Sequence, residues 1–526
     1  MQVLFRFKFL LTWMGGMMLN LIPLLCFSQV AKIQWGPEIA AQKKIYPNRF
    51  IGKDERAIYF LKDTYNPFCP MCPRDHYIEK FDAETMSIIF SRELKMPAIK
   101  DNRHHQYEEL FFLNGKLILF SSFFDKENRV STAYATAINP NGELEGEPKI
   151  IDYVQLDEKG EKSDFTFVLS TDSSLILEFK NETRNKTKSP SFSYKVLDNS
   201  LNFVLQKDNI KLPFSNLSYT VHEFLLDNAA NFYMLTELEG DKSNWFKDRP
   251  SYLYKILLLE TTSNEVKEYD IQLEGKTISD MSFRVNKNQD LIAAGFFSNK
   301  GRYSDEIAGT FYLSLDGKTK EVKTSGLKEF DKSFLLQFMS ARKAKRGDEL
   351  REFKIDRIIE REDGGAYLVA EQRYVQTISS YNGRYVTTDY YYNFNDLIVA
   401  SIHPDGKINW VKMVPKTQVT VNDKGPYSSY SMGISGNAIN FIFNDNTRNL
   451  KIPNPSDYKT FSGPKKSTCV LVTLDELGAM KKRPLFAERD QRIFARPKVY
   501  LQTGSKELLM YSDRGRQFKL LKVGFE

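Results

Sequence analysis

The feature that most constrains this chain is a repeat in the spacing of its strand-like runs. Short runs rich in Val, Ile, Tyr and Phe alternate with turns rich in Gly, Asn and Asp, and the pattern returns about every 45 to 60 residues. The unit at 164–213 holds four such runs, at 165–169, 175–179, 192–196 and 201–205. Four short strands joined by turns are the content of one propeller blade, so the spacing predicts an all-β propeller.

Comparable units cover the rest of the chain and set the number of blades. They lie at 47–97, 104–150, 219–274, 278–327, 353–415 and 427–487. The last segment, 493–526, supplies three strand-like runs, and Lys32–Trp35 near the N-terminus supplies a fourth. Pairing of the two chain ends gives a single ring of eight blades over 29–526, with seven as the alternative. Two β-sandwiches are the competing architecture, because hairpin repeats occur in both.

Residues 1–28 predict a cleavable signal peptide. Arg6 and Lys8 precede an apolar run, no acidic residue is present, and small residues lead to a cleavage point before Gln29. A membrane anchor is the alternative, although glycines, an asparagine and a proline interrupt the run. Lipid attachment at Cys26 is a third reading, disfavoured by the large residue before it. We therefore expect export to the periplasm or outside the cell, with no membrane span after the signal is removed.

The composition excludes several classes of protein. The 526 residues include 74 basic and 67 acidic residues, and the net charge of +7 is spread along the chain without a basic stripe. Nucleic acid is therefore not an expected partner. Four cysteines in this length exclude a scaffold held together by disulfides. The 13% of aromatic residues favours β-structure, where flat side chains pack well.

Three cysteines remain after the predicted cleavage. Cys69 and Cys72 lie in Cys-Pro-Met-Cys, and the oxidising conditions met on export favour a structural disulfide between them. Redox chemistry and metal binding with His76 are the alternatives, but no second pair of cysteines supports a metal site. Cys469 lies in an apolar run and is expected to be a buried thiol. No metal and no cofactor is predicted.

The long connections fall at one end of the predicted blades. In four antiparallel strands a, b, c and d, the b–c and d–a connections share one end and the a–b and c–d turns share the other. The long b–c loops are 63–75, 180–191, 240–250, 373–395 and 445–467, and the long d–a connections are 328–352 and 416–427. Long loops are often kept where they make contacts, so this end, the long-loop face, is the predicted binding face. The alternative is that these loops only cap the blade ends.

Two features of the long-loop face supply candidate site residues. The loop 373–395 is rich in tyrosine, which offers a protein or a sugar flat apolar area with a polar tip. Carboxylates stand near the ends of the second strands, where two facing acids could hydrolyse a glycosidic bond. The predicted ligand-binding residues are Glu371, Tyr374, Tyr381, Tyr385, Tyr390 and Asp445, and the further carboxylates of this set are Glu178 and Glu237. No catalytic residue is predicted.

The connection 328–352 contains a predicted helix near 331–347. Asp331 or Ser333 can cap its start, and apolar residues four positions apart form a stripe along it. It ends in four basic residues before Gly347, where cations suit a helix C-terminus. We expect the helix to pack across the face with a solvated basic tip, and binding of a partner or an anionic surface is the alternative.

The C-terminal third carries a more specific pattern of motifs. They are Ala-Tyr-Leu-Val-Ala-Glu-Gln at 366–372, Asn-Asp-Leu-Ile-Val at 395–399, His-Pro-Asp-Gly-Lys-Ile-Asn-Trp at 403–410, Pro-Lys-Thr-Gln at 415–418 and Phe-Ile-Phe-Asn-Asp-Asn at 441–446. With a mature start at Gln29, this pattern resembles a group of uncharacterised exported β-propeller-like proteins of Bacteroidota. The resemblance implies export to the cell envelope, and it transfers no activity and no catalytic residue.

These observations predict a non-catalytic, exported binding or scaffold protein. Its long-loop face would bind a protein or glycan of the cell envelope. The alternative is a carbohydrate-active enzyme, a glycoside hydrolase or lyase, with a carboxylate pair on that face. The sequence leaves the oligomeric state open.

Overall fold

The protein is almost entirely β-structure. A computed structural model describes residues 31–525 apart from 66–73, 100–102, 157–164, 182–190, 214–218, 240–251, 287, 301–304, 320, 382 and 488–490. Strands make up 65% of the structure and helices 4%. The predicted signal peptide and the predicted Cys69–Cys72 disulfide lie outside the described residues.

The described residues form eight antiparallel sheets of four or five strands, each built from strands a to d. Sheets 1 to 4 are Ile45–Lys53, Ala57–Thr64, His76–Asp82, Ile88–Glu93; Gln106–Leu113, Lys116–Asp125, Val130–Ile138, Leu144–Gln155; Phe165–Leu169, Leu175–Asn181, Ser191–Asp198, Phe203–Lys211; and Tyr219–Leu226, Phe232–Glu239, Tyr252–Leu259, Val266–Ile271. Sheets 5 to 8 are Thr277–Val285, Leu291–Ser298, Gly309–Leu315, Val322–Glu329; Phe353–Glu360, Ala366–Tyr381, Val386–Ile402, Ile408–Val414; Ser431–Ser435, Ala438–Asn446, Ser467–Leu474, Met480–Ala487; and Phe494–Gly504, Glu507–Arg514, Gln517–Gly524, Lys32–Trp35.

The remaining elements are short. The extra strands Ile39–Ala40 and Val419–Val421 add to sheets 8 and 6, and two small pairs join Ala98–Ile99 to Arg103–His104 and Glu306–Ile307 to Leu350–Arg351. Two 3-10 helices, Thr447–Lys451 and Pro455–Asp457, lie in the b–c connection of sheet 7.

The sheets pack face to face through hydrophobic cores. Among the described residues, seven cores each join two sheets that follow one another along the chain, and an eighth core joins sheet 8 to sheet 1. In that core the ring of Phe60 stacks on Tyr511 with centroids 5.2 Å apart. Sheets packed in cyclic order are the architecture of a β-propeller, so the prediction of an all-β propeller is confirmed.

Burial along a blade explains why its strands can be recognised in the sequence. Strand b of sheet 5, Leu291–Ser298, is buried at all eight positions because a neighbouring sheet covers each of its faces. Strand d of the same sheet, Val322–Glu329, has no buried position because it forms the outer edge. A blade therefore reads as a continuous apolar run followed by a mixed one.

The two chain ends meet in sheet 8. Lys32–Trp35 runs antiparallel to Gln517–Gly524, with Ile33 opposite Val523. The Trp35 ring packs edge-on against Phe486 of sheet 7 at 4.9 Å between centroids. The first described strand thus ties the last sheet to its neighbour.

The predicted helix is divided in two. Helices α1, Lys332–Leu335, and α2, Ala341–Arg346, replace one continuous helix. The Asp331 side chain caps α1 by accepting from the Phe334 amide, and Gly347 ends α2 with a φ of +82°. The apolar stripe of the sequence packs onto the core between sheets 5 and 6, and the basic residues of α2 are not buried.

Two smaller expectations concern the thiol of Cys469 and helices that could span a membrane. Cys469 is a free, buried thiol, as its apolar surroundings in the sequence indicate, and burial raises its pKa. Within the described part of the chain, no helix is long and apolar enough to cross a membrane.

Candidate functional site

Strands b and c of sheet 6 are much longer than their counterparts. They span 16 and 17 residues and pair with each other along their length. The flanking strands pair with only part of their length, since the pairing of strand a ends at Gln372 and that of strand d ends at Leu397. The outer part is therefore a two-stranded hairpin, 373–394, which we call the arm.

The arm corrects the prediction of a Tyr-rich loop at 373–395. The segment is regular strand because Val, Thr, Tyr and Ile fill it, and these side chains suit pleated pairs. Gly383, between the two strands, takes a φ of +89°, which a residue with a Cβ rarely adopts. A bulge between Glu371 and Arg373 marks the point where the arm leaves the sheet.

The strand register divides the arm's side chains between two faces. Val375 lies opposite Tyr392, and Tyr381 lies opposite Val386, so these residues share one face with Tyr390. The exposed fractions of Val375, Tyr381, Val386 and Tyr390 are 52%, 70%, 67% and 46%. We call these four residues the aromatic face of the arm.

The remaining predicted tyrosines lie elsewhere on the arm. Tyr374 is half-buried on the opposite face, which it shares with Ile378, 43% exposed. Tyr385 stands beside the turn and is 71% exposed. The structure thus places Tyr381 and Tyr390 on one face of the arm and Tyr374 on the other.

Glu371 is fully buried beneath the arm. Its Oε1 accepts from Lys416 Nζ at 2.7 Å and its Oε2 from the Ser429 hydroxyl at 2.8 Å. Lys416 also donates to the Phe394 carbonyl at 2.7 Å and to the Gln418 side chain at 3.2 Å. A buried ion pair is tolerated when hydrogen bonds satisfy both partners, as here. Glu371 therefore anchors the connection between sheets 6 and 7, 415–430, which we call the strap.

The strap reaches across the long-loop face. Lys424 donates to the Tyr65 hydroxyl at 3.1 Å, and its Nζ lies 4.8 Å from the centre of that ring. Tyr65 follows strand b of sheet 1, so the contact passes over two sheets of the cyclic order. Asn422, Lys424 and Ser429 all have positive φ, between 57° and 70°. Backbone held in this region is costly and persists only where surrounding contacts fix it.

A second set of charges lies where the arm meets the inner strand of sheet 8. The Nζ of Lys498 lies 3.9 Å from the centre of the Phe394 ring. Burial lowers the pKa of Lys498, and the cations Lys416 and Arg373 act in the same direction, against the opposing charges of two acids. Arg373 donates to Asp356 at 2.6 Å. The base of the arm therefore holds three cations, of which Lys416 and Arg373 are paired with Glu371 and Asp356.

Asp445 also serves the fold. It is 1% exposed, its Oδ2 lies 2.6 Å from Lys482 Nζ, and its Oδ1 accepts from Asn449 at 2.8 Å. Asn449 belongs to the 3-10 helix Thr447–Lys451. The carboxylate thus holds the b–c connection of sheet 7 in place.

The two further carboxylates of the predicted set differ in their surroundings. Burial and the neighbouring Asp152 raise the pKa of Glu178 well above its ordinary value, and this residue is fully buried. Glu237 lies 2.6 Å from His222 Nε2 at the long-loop end of sheet 4. Among the described residues, no two of the predicted carboxylates are in contact with each other.

A regular feature of the inner strands could not be seen in the sequence. Strand a carries a one-residue bulge near the long-loop end in sheets 1, 2, 4, 5 and 6. The extra residues are all polar, namely Asn48, Glu108, His222, Ser279 and Asp356. Their hydrogen-bond partners, in the same order, are Asp63, Ser122, Glu237, the Glu306 carbonyl and Arg373. Bulges re-aim side chains, and here they give the inner strands a polar rim.

Beside the rim of sheets 4 and 5 lie two acids that sequence reasoning missed. Glu223 accepts from the Ser282 hydroxyl at 3.0 Å, and Asp280 accepts from the Ile355 amide at 2.9 Å. Burial raises the pKa of both carboxyls. The only hint in the sequence is that polar residues interrupt strands that are otherwise apolar.

The cavity of 710 Å³ and the long loops lie at opposite ends of the molecule, so they favour different positions for a binding site. This cavity opens at the short-turn end, among Ile51, Phe112, Leu169 and Leu501. A smaller cavity of 410 Å³ lies on the long-loop face beside α2. We give more weight to the long-loop face, because the exposed apolar side chains of the arm lie there. Within the described ranges, no three His, Cys, Asp or Glu residues are grouped as metal ligands would be.

No family model and no curated protein matches this chain. Among solved structures, the β-propeller domain of the trilobed protease from Pyrococcus furiosus aligns over 84% of this chain and 96% of its own, at 11% identity and a TM-score of 0.35. Polysaccharide lyase Uly1 aligns over 91% and 90%, at 8% identity and 0.41. The WD40 domain of SCAP from fission yeast aligns over 94% of both chains, at 9% identity and 0.39. These likenesses concern the fold alone and include both enzymes and a WD40 domain.

Proposed function

We propose that this protein is a non-catalytic, exported binding protein whose long-loop face holds a protein or glycan of the cell envelope. The observation that carries the proposal is the aromatic face of the arm. Four large side chains stand largely exposed on one side of a regular hairpin. Exposed apolar surface on a fixed element is typical of a binding site, and tyrosine is favoured where proteins meet.

The arm is fixed at its base, which favours binding without large rearrangement. Val419–Val421 of the strap pairs with Tyr391 to Asn393. Beneath the arm, Lys416 donates to Glu371 and Arg373 donates to Asp356. Side chains held on such a support lose little freedom when a ligand is bound.

A carbohydrate-active enzyme is not proposed as a second function. Acid–base hydrolysis of a glycosidic bond needs carboxyl groups that the substrate can reach. Glu178, Glu371 and Asp445 are at most 1% exposed, and the bonds of Glu371 and Asp445 hold the fold.

Capture from envelope fractions and binding to a glycan array test the proposal. Tyr381→Ser combined with Tyr390→Ser should abolish capture, since both changes remove exposed area from the aromatic face. Ile378→Ser is the matched control, because this exposed residue lies on the opposite face and should leave capture intact. Equal capture by the native protein and both variants would remove the aromatic face from the proposal.

A further inference from the structure

The arm has one strand edge without a partner among the described residues. The last backbone bond from the inner side joins the Arg373 amide to the Glu352 carbonyl at 2.9 Å. From 374 to 381, strand b pairs with strand c alone. On the other side of the hairpin, the edge of strand c is covered at three residues by Val419–Val421. The open edge is therefore the eight-residue stretch 374–381.

This edge has none of the features that usually keep strand edges apart. Strand edges that stay unpaired in native proteins commonly carry a charge, a proline or a bulge. The stretch 374–381 reads Tyr-Val-Gln-Thr-Ile-Ser-Ser-Tyr, with no charged residue and no proline, and its register with strand c is unbroken. Val375 and Ile378 are exposed on its two faces. A regular, uncharged edge of this length is suited to pairing with another strand.

We propose that a second copy of this chain covers the edge, with the two arms paired antiparallel about a twofold axis at Thr377. In this register Val375 meets Ser379 of the other copy, and Tyr374 meets Ser380. Tyr374 and Val375 thus each face a small side chain, Ile378 meets Gln376, and Thr377 meets its own copy, a favourable cross-strand pair. Arg373 falls opposite Tyr381, so no like charges meet. The sequence of the edge is complementary to itself.

The direction of the arm is compatible with this dimer. Strand b runs towards the long-loop face, so antiparallel arms place the two propellers with these faces towards each other. The stretch 373–381 extends roughly 30 Å at the usual rise per residue, so the tip of each arm reaches the base of the other. The contact uses the same surface on both copies and closes on itself, as a twofold interface must.

The dimer goes beyond the proposed function, and the two proposed contacts share only Val375 and Tyr381. Dimerisation depends on the backbone edge of strand b, whereas the proposed ligand contacts the side chains of the aromatic face. In the dimer the two arms form one four-stranded sheet, which joins two aromatic faces. Tyr390→Ser should therefore reduce ligand capture and leave the protein a dimer. A variant that disrupts the edge of strand b should instead lower the measured molecular mass.

Light scattering of the purified full-length mature protein tests the proposal. The native protein should have twice the mass of one chain. A variant in which an Asn-Gly turn joins Val375 to Tyr392 should have the mass of one chain. Thr377→Lys should weaken the dimer by about five-fold, since two like charges then face each other. Mixing Thr377→Lys with Thr377→Asp should restore it. A native protein with the mass of one chain, or a dimer that persists without the arm, would overturn the proposal.

A cysteine cross-link tests the register. Facing residues of an antiparallel pair lie about 4.5 to 5.5 Å apart at Cα, within the range that a disulfide spans. Thr377→Cys should therefore form a covalent dimer under oxidation, above the level of the native protein with its own cysteines. Ser380→Cys is the control and should not cross-link, because its copy lies six positions away along the strand. Cross-linking of both variants to the same extent would rule out this register.

Discussion

Asp396, at the base of the arm, should couple the stability of the propeller to pH. Burial raises the pKa of its carboxyl from 3.8 to about 6, although the Lys416 amide, which donates to Asp396 at 2.9 Å, acts in the opposite direction. Between these pKa values the folded protein keeps a proton that the unfolded chain has released. The free energy of unfolding should therefore fall as the pH rises from about 4 to about 7, by up to about 3 kcal/mol from this group.

Asp396→Asn separates this effect from other titrations, because the amide oxygen keeps the acceptor for Lys416 and cannot ionise. Urea titrations should find the variant close to the native protein near pH ~4 and more stable near pH ~8. Asp405→Asn is a control of opposite sign, since backbone hydrogen bonding from Lys407 lowers the pKa of Asp405 to about 2. That variant should lose stability at neutral pH. Parallel pH profiles for Asp396→Asn and the native protein would contradict the assignment.

The predicted acids Glu371 and Asp445 show that the position of a residue on a strand can be predicted from sequence, whereas its burial cannot. Their position at the ends of second strands could be predicted, because strand ends follow from local pattern. Their burial could not, because it depends on partners far along the chain. Lys416 lies 45 positions after Glu371, and Lys482 lies 37 positions after Asp445. Tyr381 and Tyr390 were predicted as exposed aromatics without their shared face, which depends on the register of the arm.

At the scale of elements, the strap fixes the arm through Asn422. Its side chain donates to Asp389 at 2.8 Å and accepts from the Tyr390 amide at 2.9 Å, and its backbone has a φ of +57°. Asn422→Ala should lose both bonds and keep the strained backbone, since alanine tolerates positive φ poorly. We expect a loss of about 1 to 3 kcal/mol in the free energy of unfolding.

Hydrogen exchange can locate that loss. In Asn422→Ala the amides of 386–392 should exchange faster, while those of the buried strand Leu291–Ser298 should remain protected. Asn422→Gly is the matched variant, because glycine accepts the backbone conformation and loses only the side-chain bonds. It should destabilise less than alanine. An equal effect of the two substitutions would show that the backbone of Asn422 carries no strain.

Sequence pattern identifies elements whose signal is local. The four runs of 164–213 correspond to the four strands of sheet 3, because alternating apolar runs and turns mark each strand. The arm was predicted as a loop, since nothing local shows that strands b and c continue beyond their neighbours. The bulges of the inner strands were not predicted either, because a bulge is defined only against the partner strand.

At the scale of the whole molecule, the pairing of the chain ends links three sheets. Lys32–Trp35 completes sheet 8, Trp35 packs on Phe486 of sheet 7, and Tyr511 of sheet 8 stacks on Phe60 of sheet 1. The sequence predicts this strand, because the last segment, 493–526, has only three strand-like runs and Lys32–Trp35 supplies a fourth. A ring of sheets shares its stability around the cycle, so loss of one strand should weaken both neighbouring interfaces.

A variant that begins at Glu38 tests this dependence. Without Lys32–Trp35, the stretch 521–524 becomes an open edge, while Ile39–Ala40 still pairs with Gln517 and Phe518. Phe486 also loses the Trp35 ring. The free energy of unfolding should fall by about 2 to 4 kcal/mol, and the amides of 521–524 should lose protection from exchange. Lys32→Ala is the control, because its exposed side chain should change stability by no more than about 0.5 kcal/mol. If 521–524 stayed protected in the shortened chain, sheet 8 would be stable without Lys32–Trp35, and the end pairing would not be what holds the sheets together there.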